Sequence, residues 1–221
     1  MINLLKSLLS KPLKQAYYQS QESLLGNHKR DIVVVQVDQA CESLKESRDQ
    51  FVDALDKFKA IVKVKDSALE QRYQHLKRQY DLCRGKADQV SARIRAIEDV
   101  SEALFSEWED ELELYSNRAL RSRSQQQLKK SRQQYQRLLK ALQTAEERMQ
   151  PVLAAFQDQV LFLKHNLNAH AIAALRHEFV EMGVDISRLI EIMEKTIREA
   201  GSFVSVLIEQ KQQQRLPAPR G

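Results

Sequence analysis

The chain predicts an all-α fold, an elongated antiparallel helical bundle or coiled coil of four long helices with a short amphipathic helix at the N-terminus. Three observations predict it. Only five glycines and four prolines occur in 221 residues, and no proline lies between Pro12 and Pro151. The rest is rich in Ala, Leu, Glu, Gln, Lys and Arg, the residues that favour long helices. Apolar side chains recur at alternating spacings of three and four over nearly the whole length, the signal of helices sharing one seam. With 43% hydrophobic and 29% charged residues, the chain can bury a core rather than remain disordered.

Residues 1–11 form an amphipathic pattern. At about 100° per residue, Ile2, Leu4, Leu5, Leu8 and Leu9 share one face, with Lys6 and Lys11 on the other. Lys14 follows, and no acid precedes Glu22. Residues 1–14 are therefore a candidate membrane-surface contact. The competing reading is a helix that packs on the bundle, with Leu13, Tyr17, Leu24 and Leu25 filling space beside the middle hairpin. A cleavable signal fits poorly, because Lys6 interrupts the apolar run and no small-residue cleavage site follows.

The first long helix, 31–62, carries the seam Val34, Val37, Cys41, Leu44, Phe51, Leu55, Phe58 and Val62, with Arg48 filling one position. Asp31 suits its N-terminus. Ser67 and Glu70 have the spacing of a capping box and open the second helix, 67–115, after a turn at Val64 to Asp66. Its seam runs from Leu69 through Tyr80, Cys83, Val90, Ile97 and Ser101 to Trp108 and Tyr115. Ser116 and Asn117 form the next turn. The third helix, 118–166, follows Leu128, Ser131, Tyr135, Leu138, Leu142, Met149 and Phe156, and Pro151 should bend it without ending it. Asn168 is the expected N-cap of the fourth helix, 169–213. The domain reading is a segment 1–25, a bundle 26–208 and a polar, Gln-rich disordered tail 209–221.

Two charge blocks meet at the second turn. Glu98 to Glu113 holds eight acids and no base, and Arg118 to Lys140 holds eight bases and no acid. Short turns make antiparallel neighbours, so the blocks should face each other. This register brings Asp110 near Arg123, Glu113 near Arg121 and Glu102 near Lys130. Cross-helix attraction then offsets the unfavourable placing of acids at a helix C-terminus and bases at an N-terminus. Arg137 and Lys140 lie beyond the acidic block, opposite Arg93 and Arg95, and form a candidate interaction surface together with Lys6, Lys11 and Lys14.

The chemistry of common sites is missing from the sequence. No glycine-rich phosphate loop occurs, so nucleotide hydrolysis has no support. His165, His170 and His177 cluster near the third turn, but His170 and His177 lack the spacing of a chelating pair, and no metal or other cofactor is expected. Cys41 and Cys83 fall offset along adjacent helices by roughly 7 Å, too poorly placed for a disulfide, and read as small core residues. The net charge of +5 is compatible with a membrane surface or nucleic acid without specifying either.

Several runs resemble one family: Tyr17-Tyr18, His28 to Asp31, Glu102 to Glu109 (EALFSEWE), Pro151 to Phe156 and Val160 to Ala169 (VLFLKHNLNA). They are similar to an uncharacterised gammaproteobacterial domain-of-unknown-function family of long-helical proteins, over roughly residues 16–205. Members are sometimes labelled DNA-repair ATPases, and many begin with a lipoprotein-type signal. The resemblance implies a bacterial protein at the envelope, but no lipid-accepting cysteine stands near the start, so the expected location is cytoplasmic or peripheral on the inner membrane. It supplies no catalytic residue. The expected function is a non-enzymatic scaffold or interaction protein whose partner is another protein, a second copy of itself or a membrane surface. The alternative is a nucleic-acid-associated coiled-coil protein.

Overall fold

The computed structural model describes residues 29–63, 69–166 and 169–215, and the side chains of these apart from 29–30, 61–63, 69, 72, 169–177, 179 and 206–215. Four helices account for all of them but 113–117 and 166: α1 (Lys29–Lys63), α2 (Leu69–Leu112), α3 (Arg118–His165) and α4 (Ala169–Arg215). Among the described residues there is no strand. The segment 1–25, the Ser67 capping box and the Asn168 cap lie outside the described residues. The helix α4 runs on to Arg215, so residues 209–215, expected in an unstructured tail, are helical. Their composition explains this, since Glu, Gln, Lys and Arg carry good helix propensity and no glycine or proline lies between Gly201 and Pro217.

The helices contribute to two compact units. Of the described residues, the first comprises 29–41, 92–141 and 198–215, and the second 42–63, 69–91, 142–166 and 169–197. In the first unit the interior is built from Val33 and Val37 of α1, Ile94, Ile97 and Trp108 of α2, Tyr135 and Leu138 of α3, and Phe203 of α4. The apolar positions follow the alternation of three and four, which keeps one stripe of each helix facing inward.

In the second unit Phe156 is fully buried, with Phe58 at 4.5 Å and Tyr80 at 5.6 Å between ring centroids. Ser47, not Arg48, takes the interior position between Leu44 and Phe51, and its hydroxyl meets Met149 Sδ at 3.5 Å. Arg48 stays partly exposed and pairs with Asp49 at 2.8 Å. A step of three then four through Ser47 preserves the stripe, whereas Arg48 would bury a charge. Cys41 and Cys83 are both buried and free. The Cys83 thiol reaches the Gln50 carbonyl at 3.7 Å, and burial pushes its pKa up to about 12. Pro151 stands inside α3 on an exposed position and does not end the helix.

Two exposed glycines interrupt the helices without an evident packing reason. A methyl group at Gly85 or Gly201 would meet nothing within 4 Å. Gly85→Ala and Gly201→Ala are each expected to raise stability by about 0.5–1 kcal/mol, because alanine loses less backbone entropy on folding. Urea unfolding followed by circular dichroism checks this; a lower midpoint for either variant would contradict it.

Candidate interaction surface

The hairpin between α2 and α3, all within the first unit, holds the residues for which the sequence suggests a role. Its turn has local causes. Helix α2 ends at Leu112 rather than near residue 115, and the amides of Glu113 and Leu114 bond back three residues to Asp110 and Glu111 at 3.2 and 3.1 Å. Such tightening satisfies carbonyls that a helix end leaves open. Tyr115, expected on the seam, therefore falls beyond the helix and is 41% exposed. Asn117 caps α3: its Oδ1 accepts from the amides of Ala119 and Leu120 at 2.9 and 3.2 Å. The N-cap preference of asparagine is a signal the sequence carried.

Inside the hairpin, Trp108 Nε1 donates to Ser124 Oγ at 2.9 Å in a buried setting. Phe105 and Tyr135 pack edge to face at 5.4 Å, and the Arg132 guanidinium lies 5.3 Å above the Phe105 ring. Burial, reinforced by Glu98, keeps the Tyr135 phenol protonated well above its ordinary range. Ser101 sits close enough to oppose that shift slightly, yet its Oγ completes no well-formed hydrogen bond.

The charge blocks meet only in part. Glu113 pairs with Arg121, as the register expects. The second pair across the hairpin is Glu109 with Arg132 at 2.5 Å, not Asp110 with Arg123 or Glu102 with Lys130. Among the described residues Asp110, Arg123 and Lys130 form no ion pair, while Glu102 makes other interactions, including its effect on Tyr135. The cause is geometric. Helical side chains lean toward their own N-terminus, so on antiparallel neighbours both partners lean and the meeting residues shift along the helices by a few positions. Glu113 lies past the end of α2, escapes that lean, and keeps the simple register. Rotation about the axis matters equally: Glu109 faces α3, and Asp110, about 100° further round, faces solvent.

The Arg132 hydrogen bond holds the Glu109 carboxyl below its ordinary value of 4.5. A depressed carboxyl pKa adds stability above the unfolded value, and that stability is lost as pH falls through the folded one. Both partners are well exposed, so the pair is worth only roughly 0–1 kcal/mol. Glu109→Gln is expected to lower the urea midpoint at pH 7 and to lower it by less as the pH falls below the ordinary carboxyl value, to pH 3. A deficit of equal size at both pH values would contradict this.

What remains is an uncompensated row. Arg123, Lys130 and Arg137 are exposed, lie one heptad apart on α3, and make no ion pair among the described residues. The spacing places successive charges about 10 Å apart along one face. Of the expected surface, Arg137 thus stands in this row, Lys140 is exposed but has interactions of its own, and Lys6, Lys11 and Lys14 lie outside the described residues. Arg93, expected opposite, donates to Gln39 at 2.7 Å. No group of three His, Cys, Asp or Glu among the described residues could hold a metal ion. No helix among them is long and apolar enough to cross a membrane.

These features define an all-α helical bundle in whose charged hairpin Arg123, Lys130 and Arg137 form no ion pair among the described residues. The chain belongs to the family described as protein of unknown function (DUF2959), whose model matches residues 17–207. No curated protein and no solved structure matches it.

Proposed function

We propose that this is a non-enzymatic interaction protein that uses the row Arg123, Lys130 and Arg137 to rest on an anionic surface, a negatively charged bilayer first of all. The row itself carries the reading: three cations on one exposed face, with no partner among the described residues. Near an anionic leaflet each Lys or Arg contributes about 1 kcal/mol, so the row alone gives only weak, reversible contact. Lys6, Lys11 and Lys14 on an amphipathic segment would roughly double that attraction. A row of charges along one helical face suits a planar array of charges better than a duplex, whose phosphates wind around an axis. Glutamines intersperse the row and its one aromatic, Tyr135, is buried, so it offers no stacking platform for single strands.

Flotation with phosphatidylserine-containing vesicles tests the proposal. Wild type is expected to float with anionic vesicles, not neutral ones, and less so as salt rises. The Arg123→Gln/Lys130→Gln/Arg137→Gln variant should stay at the bottom. No flotation of wild type would sink the reading. Salt-dependent DNA binding lost in the same variant, without flotation, would transfer the row to nucleic acid.

A further inference from the structure

A different face of α3 carries a second surface. Between α2 and α3 in the first unit runs a groove of about 420 Å³, with Leu112 and Leu128 at its floor. Glu109 and Glu113 line the α2 side, and Lys129 and Arg132 the α3 side. Two exposed side chains of opposite sign on these two helices are left over. Asp110 on α2 and Lys129 on α3 form no ion pair among the described residues. At the tip, Leu114 is 81% exposed and Tyr115 is 41% exposed.

We infer that this face binds a second copy of the same chain, with α2 of one protomer on α3 of its partner. The face has an acidic helix and a basic helix side by side, so it is complementary to itself. Symmetry then restricts the arrangement. A two-fold axis lying in the contact plane along the helices sets acidic α2 against basic α3 twice. The same axis turned across the helices would set α2 on α2 and α3 on α3, opposing like charges. Only the first arrangement pairs Asp110 with Lys129 of the other copy. It also brings the two tips to the same end, where Leu114 and Tyr115 can shield one another from water. The groove lies between the two contacting helices, with Gln125, Gln133 and Gln136 available as hydrogen-bonding side chains along it.

An isologous contact has a signature that a contact with a foreign protein lacks. Sedimentation velocity on the full chain should show a concentration-dependent dimer that weakens with salt. Asp110→Lys and Lys129→Glu should each weaken it by roughly tenfold or more, because like charges then face each other twice. Mixed in equal amounts, the two variants should dimerise again, since both contacts in the mixed pair join unlike charges. Far-UV circular dichroism establishes that each variant is folded. A wild type that stays monomeric at high concentration overturns the inference, and so do variants that still dimerise alone. Two monomeric variants that fail to rescue each other overturn the α2-on-α3 arrangement.

Discussion

Phe156→Ala is expected to remove about 3–5 kcal/mol of stability, the range for deleting a large buried aromatic side chain. Phe156 is fully buried in the second unit, and its ring lies against Phe58 and Tyr80 at 4.5 and 5.6 Å. Those rings meet tilted and edge-on, arrangements that add about 0.5–1.5 kcal/mol per pair beyond area burial. Truncation therefore loses transfer free energy, aromatic contacts and packing density at one point. The surrounding helices cannot close the cavity without shifting their own stripes. Phe156→Leu keeps part of the volume and should cost less than half as much. Urea unfolding of the three proteins gives the comparison. A Phe156→Ala midpoint near wild type would show that the site collapses freely and that the described packing is wrong.

The second large effect is expected at Trp108. Trp108→Ala should also cost about 3–5 kcal/mol through the cavity, with a further contribution from the stranded Ser124 hydroxyl. The indole is 6% exposed and its N–H donates to Ser124 Oγ at 2.9 Å. Trp108→Phe separates the two terms, since it keeps an aromatic ring but removes the donor. It should cost less than Trp108→Ala, and adding Ser124→Ala should recover part of the loss by removing the orphaned acceptor. No recovery in the double variant would contradict a net role for this hydrogen bond.

The helices and their inward faces were legible because they depend on local facts. Breakers are scarce, and the alternation of three and four from Leu128 to Phe156 tolerates no other regular structure. Ser101 and Ser131 could be placed on the seam by spacing alone, and both are buried to 1% exposure. Spacing misled where two neighbours competed for one slot, as at Ser47 and Arg48, where only the cost of burying a charge decides. It also missed the early end of α2, because nothing after Leu112 is a strong breaker; the Asn117 cap of α3 marks the far side of the turn instead.

The charged hairpin shows the limit more sharply. Opposed blocks of charge predict that α2 lies against α3, and the pairs Glu113–Arg121 and Glu109–Arg132 join those helices. They do not predict which charges meet. That depends on the lean of each side chain and on rotation in steps of about 100° per residue. Glu109 and Asp110 are neighbours in sequence, yet one faces Arg132 and the other faces water. The same rotation leaves Arg123, Lys130 and Arg137 facing outward, so the functional candidate arises from what the hairpin fails to neutralise.

The central claim is that the basic block divides into cations held within the hairpin, Arg121 and Arg132, and cations facing outward, Arg123 and Lys130. Two variants test the division with net charge held equal: Arg121→Gln/Arg132→Gln and Arg123→Gln/Lys130→Gln. Each loses two positive charges, so a purely global electrostatic attraction would weaken both alike. The decisive measurement is their binding to anionic vesicles at low salt, side by side. Binding should persist in the first variant and fall strongly in the second; equal loss in both, or greater loss in the first, would contradict the division.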